Sequence, residues 1–167
     1  SPTDMQKWIA GKQVQVAPFI DDYTEGISGS STPDDFETAL QMIYMYHTAP
    51  RKDETAFSSL MSQVNIMMGS LASNPDFYFY LEAAKITSDG SIRGQLLPDE
   101  DQMGAIDLDM AMEAYNERFG DADFTYLFVG SFDPNEIEPM VSMYIGGLQE
   151  AKEEDFGPYT YGPPNGN

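Results

Sequence analysis

An α+β domain, with an antiparallel or mixed sheet covered by several helices, is the fold class this sequence predicts, and three observations carry it. Residues 12–20 alternate Val14 and Val16 against Gln13 and Gln15, the period of a strand with one buried face. Residues 123–133 place Phe124, Tyr126, Phe128 and Phe132 on one side of the pleat and Leu127 and Val129 on the other. A strand apolar on both faces asks to be covered on both, so this run is expected to be the central, inner strand beside residues 12–20. Several further stretches carry apolar residues at helical spacing behind recognisable start signals.

Taken in order, residues 1–8 form a short polar lead-in that ends in the single tryptophan, Trp8. In the first strand Pro18 has no N–H to give a ladder, which predicts an edge or a bulge. Asp21-Asp22-Tyr23 turns the chain into residues 24–31, whose glycines and serines make a second, weaker strand of a hairpin. Thr32-Pro33-Asp34-Asp35 joins a capping residue, a proline and two acids, and opens a helix with Phe36, Leu40, Ile43, Tyr44 and His47 on one face, ended by Pro50.

After Asp53, the residues Phe57, Leu60, Met61, Val64, Met67, Met68 and Leu71 form the longest apolar stripe in the chain, which predicts the main core helix, laid on one face of the sheet. Asn74-Pro75 starts another helix carrying Phe77 to Leu81, and residues 87–104 read as a long polar loop. A helix from Asp107 sets Leu108, Met112, Tyr115 and Phe119 on one face, and Gly120-Asp121 releases the chain into the central strand. Asp133-Pro134-Asn135-Glu136 then starts a last helix with Ile137, Val141, Tyr144, Ile145 and Leu148 aligned. Residues 1–150 are therefore expected to be one domain, and residues 151–167, rich in acid, proline and glycine, a linker tail.

Charge excludes one class of partner. Twenty-eight acids against eight bases give a formal charge of −20, which repels nucleic-acid phosphates and anionic membrane surfaces. No run reaches the roughly 18 apolar residues of a membrane span, so no membrane insertion is expected, and the chain opens on no signal-peptide pattern. The absence of cysteine excludes disulfides and thiolate metal sites.

The search for catalytic chemistry returns negatives. A catalytic zinc needs histidines and a carboxylate converging on the metal, and this chain has only His47, on the apolar face of its helix, where a packed structural role is the expectation. The run Gly26-Ile27-Ser28-Gly29-Ser30 has the outline of a nucleophile elbow but carries serine where the second glycine is required, and a hairpin strand is the simpler reading. There is no phosphate-binding or dinucleotide fingerprint. Residues 98–101 with Gly104 sketch a calcium loop, but Met103 and Met110 stand where oxygen donors are needed, which leaves a solvated acidic loop. No catalytic, cofactor-binding or metal residue is assigned; paired carboxylates act as acid and base only where they share a cleft.

Several runs, weak singly but in a consistent order, carry a family resemblance. They are Lys7-Trp8-Ile9-Ala10-Gly11-Lys12, residues 25–31, Asp35-Phe36-Glu37 with residues 41–44, residues 49–53, Asp107-Leu108-Asp109, Tyr115 with Arg118-Phe119, residues 123–133, and residues 144–148. In these the chain resembles the insulinase or pitrilysin family of zinc metallopeptidases, in particular the catalytically silent C-terminal half of a bacterial zinc protease. The resemblance implies the metallopeptidase half-domain fold, entered after the first strands and helix of a complete unit. It also implies a non-catalytic role in a zinc endopeptidase: a wall of the peptide-enclosing chamber, docked on the active half of the same polypeptide, with peptides as substrates, zinc only in that active half, and a periplasmic or envelope location. The alternative is a free-standing adaptor that takes a peptide or protein on its sheet edge. An incomplete sheet boundary also predicts self-association, through the hairpin of residues 12–31.

Overall fold

The computed structural model describes residues 2–21, 24–87, 97–120 and 123–148. Among them the architecture is α+β, with one two-stranded antiparallel sheet and seven α-helices. The expected linker tail of residues 151–167 lies outside the described residues. The described residues divide into two compact units, one from residues 2–51 and 112–148 and the other from residues 52–111.

The first unit opens with helix α1 (Pro2–Trp8), where a polar lead-in was expected, and Met5 and Ile9 pack on the core. Strands β1 (Val14–Ile20) and β2 (Glu25–Ser31) form the predicted hairpin in the register Val14↔Ser31 to Ile20↔Glu25. The alternation holds, since Val16 is buried while Gln15 is exposed. Pro18 sits within β1 opposite Ile27, with no bulge in the register. Gly29 is needed for close approach: a Cβ there would lie 2.6 Å from the Gln15 carbonyl oxygen and 2.9 Å from Val16. Gly29→Ala is therefore expected to destabilise the first unit by about 1–3 kcal/mol, as overpacking does, in urea unfolding. Ser30→Ala beside it should change little.

A 3-10 turn, Pro33–Asp35, precedes α2 (Phe36–Thr48). Thr32 does not cap the helix through its side chain; instead its hydroxyl donates to Asp35, whose carboxylate also accepts from the Gln13 backbone N–H at 2.8 Å. That carboxylate ties the helix start to the hairpin. Helix α2 is the centre of the unit, and it is covered on three sides. Ala39 and Met42 meet Val16 in the core, with Ile27, Ile43 and Tyr46 packed around them. Glu37, Gln41 and Tyr44 face Tyr144 of α7 (Pro134–Tyr144), whose hydroxyl donates to Glu37 and accepts from Gln41. Phe36 and His47 face residues 124–128. Leu40 is fully buried. A helix covered on several sides must bury residues on each of them, either apolar ones or polar ones that find a partner.

Residues 123–129 correct the sequence reading. They belong to no strand, so the expected inner strand beside β1 is absent, and Leu127 and Val129 are 83% and 87% exposed. The run is nonetheless extended. Phe124 packs on His47 and Phe128 on Phe36, residues eleven apart on α2 and so about 16 Å along its axis; four fully stretched residue steps reach about 14 Å, so the run must be extended, with the side chains spanning the remainder. The apolar pattern on the second face is real, but nothing in this unit covers it.

The last helix follows expectation. Asp133 accepts from the Asn135 N–H, Pro134 occupies the first turn, and Ile137, Val141, Tyr144, Ile145 and Leu148 are half-buried.

In the second unit, α3 (Glu54–Ala72) is capped by Asp53 and α4 (Pro75–Thr87) by Asn74. The two pack together. Phe57, Met61, Val64, Met68 and Leu71 follow a four-three spacing and are half-buried, while Leu60 and Met67 stay exposed. Helix α3 is thus not the main core helix; that part falls to α2. The expected loop of residues 87–104 contains α5 (Glu100–Ala105), started by a capping box between Asp99 and Gln102, and residues 88–96 of it lie outside the described residues. Helix α6 (Leu108–Tyr115), capped by Asp107, starts here; from Met112 onward it belongs to the first unit, as does the π-helical turn Asn116–Gly120 that continues it.

Candidate functional site

The described motifs that were weighed for chemistry sit in local structural settings. Ser28 lies within β2, exposed and opposite Ala17. Asp99, in the run that sketched a calcium loop, is spent on a helix start, where it accepts from the Gln102 N–H. Among the described residues no group of three or more His, Cys, Asp or Glu side chains is placed to hold a metal ion, and no helix is long and apolar enough to cross a membrane.

The single histidine is the centre of an aromatic node. His47 is buried near the C-terminal end of α2; its Nδ1 meets the Phe119 carbonyl oxygen, and its Nε2 lies 2.9 Å from the Tyr126 hydroxyl. A carbonyl can only accept, so Nδ1 carries the proton, and in the neutral ring Nε2 accepts from the tyrosine. Both nitrogens are thereby engaged. The imidazole stacks edge-on against Phe124 at 4.9 Å, and Phe124 in turn stacks on Phe119 at 6.2 Å. Tyr115 closes the node by donating to the Tyr46 carbonyl at 2.9 Å. The packed structural role read from the apolar helix face is what these bonds describe.

Burial, reinforced by the charge of Asp123, pushes the Tyr126 phenol up to about 12, and burial raises Tyr115 as well. An unperturbed phenol titrates near 10. The unfolded chain therefore loses this proton first, so the contribution of Tyr126 to stability is complete below about pH 10 and is lost as the pH rises through about 12. The difference in alkaline absorbance between the wild type and Tyr126→Phe should show one phenol titrating near the upper value. A difference curve centred near 10 would contradict the placement.

What the node does is hold residues 123–129 against α2. Phe124, Tyr126 and Phe128 turn inward, whereas Asp123, Thr125, Leu127 and Val129 form an outward row. No backbone hydrogen bond joins residues 123–129 to another described residue. This is a pinned, straight length of chain with an open backbone and an apolar outer surface, and it is the candidate site. Sequence reasoning picked out the same residues as the central strand; the signal was the two-sided apolar pattern. It did not show that one side would be left open.

No known protein family, curated protein or solved structure matches the chain.

Proposed function

We infer that the chain is a non-catalytic domain that holds an extended polypeptide, and that residues 123–129 are the element that holds it. The observation that carries this is the backbone of that run, which bonds to no backbone group of another described residue and is held extended by the aromatic node. Backbone donors and acceptors in a folded protein are paired, with protein or with water. An added strand pairs a whole row together, and Leu127 and Val129 offer it apolar cross-strand neighbours.

The resemblance to the insulinase-type peptidases gives this role a setting. A silent half-domain would form part of the chamber wall and dock on the active, zinc-bearing half. A free-standing adaptor would use the same edge in the same way.

A capped peptide of alternating threonine and valine is the test ligand, with binding followed by fluorescence anisotropy. Because Leu127 and Val129 face solvent, the double variant Leu127→Ser, Val129→Ser should keep its fold, checked by circular dichroism, and lose most of its binding. Equal binding by the variant, or no binding by the wild type, would overturn the reading.

A further inference from the structure

Resting on that strand-binding reading, we propose that the polypeptide this edge takes is cationic, with a lysine or arginine opposite Asp123 and β-branched or aromatic residues opposite Leu127 and Val129.

The outward row sets the rule. Its members are Asp123, Thr125, Leu127 and Val129, and all four are exposed. Residues directly opposite on a paired strand lie close enough to interact, so opposite charges and apolar pairs are favoured there and like charges are not. Asp123 begins the row and asks for a positive neighbour; Leu127 and Val129 ask for apolar ones. Beyond the far end of the run stand Asp133 and Glu136, at the start of α7. Asp133 is engaged in capping that helix, so a short strand along residues 123–129 would meet its acid at Asp123 and its apolar neighbours at Leu127 and Val129.

Two bases of the same unit are engaged by other partners. Arg118 pairs with Glu25 at 3.2 Å, and the Lys12 ammonium donates to Thr38 and lies over the Trp8 ring. The charge of −20 adds a long-range attraction for any cationic segment.

A second copy of the chain fits less well. Paired through the same run, it would offer Asp123 no base, since its own outward row contains none, and it would bring a second −20 alongside. Charge complementarity therefore favours a cationic partner strand over self-pairing.

Two capped nonapeptides test this, both with threonine and valine alternating through the middle, one with lysine at each end and the other with glutamate. Their end-to-end symmetry makes strand direction immaterial. The lysine peptide is expected to bind the full chain at least about fivefold more tightly than its twin, and Asp123→Asn should bring the two closer together. Leu127→Ser, Val129→Ser should weaken both.

Equal affinities for the two peptides, each lost in the serine variant, would overturn the cationic class while leaving strand binding in place. No binding of either would overturn strand binding itself. A lysine preference unchanged by Asp123→Asn would remove the assigned pairing. A dimer in sedimentation that the lysine peptide does not dissociate would give the edge to a second copy.

Discussion

Leu40→Ala is expected to destabilise the first unit by about 2–5 kcal/mol, the range for emptying a leucine site in a closed core. Leu40 has no solvent exposure and sits in the middle of α2, between the hairpin contacts of Ala39 and Met42 and the α7 contact of Gln41. A void there is bounded on several sides by elements that cannot all collapse inward. Leu60 lies on α3, within the longest apolar stripe in the sequence, yet it is 55% exposed. Leu60→Ala should therefore cost no more than about 0.5 kcal/mol, as surface changes do. Urea midpoints of the two variants compare the helices directly. Similar losses would mean that α2 is not the centre of the fold.

Phe119→Ala should have an effect of the same order, about 3–5 kcal/mol, and for two reasons. The ring is 2% exposed and packs against Tyr115 at 4.9 Å and Phe124 at 6.2 Å. Its backbone carbonyl also fixes the His47 ring, and through it Tyr126. Losing the Phe119 ring unsettles the π-helical turn that presents this carbonyl, so the phenol of Tyr126 should become more accessible and titrate lower in the variant. A stability loss with no change in that titration would separate the packing of Phe119 from the pinning of residues 123–129.

The sequence was most legible where a local rule and the tertiary environment agree. The hairpin follows its valine alternation, and the start of α7 follows its aspartate, proline and acid. Helix α3 misled because a stripe records only how many apolar residues share a face. It does not record how many partners that face meets, and the described partner of this one is α4, which leaves Leu60 and Met67 in the open. Helix α2 was understated for the opposite reason. Its enclosed circumference includes Thr38, Gln41 and His47, polar residues that break the stripe in sequence but are satisfied in the fold by Lys12, Tyr144 and the aromatic node. The capping box of α5 was hidden among acids that read as a loop.

Residues 123–129 lie between these cases. Alternation gave their extended form and their inward aromatic face. The outward apolar face led to an expected covering layer, which the first unit does not provide. Leu127 and Val129 are the same evidence in both readings: a residue suited to burial, found exposed, points to what the surface binds.

Amide hydrogen exchange through residues 124–129, followed by NMR with and without the lysine-ended peptide, tests the central claim most directly. In the free protein these amides should exchange close to the unstructured rate while those of α2 are strongly protected, because the run is held by side chains and not by a ladder. With peptide bound, every second amide should slow, either 124, 126 and 128 or 125, 127 and 129, since alternate N–H groups of a strand point to the same edge. Strong protection without peptide, or an unchanged profile when peptide saturates the protein, would contradict the account.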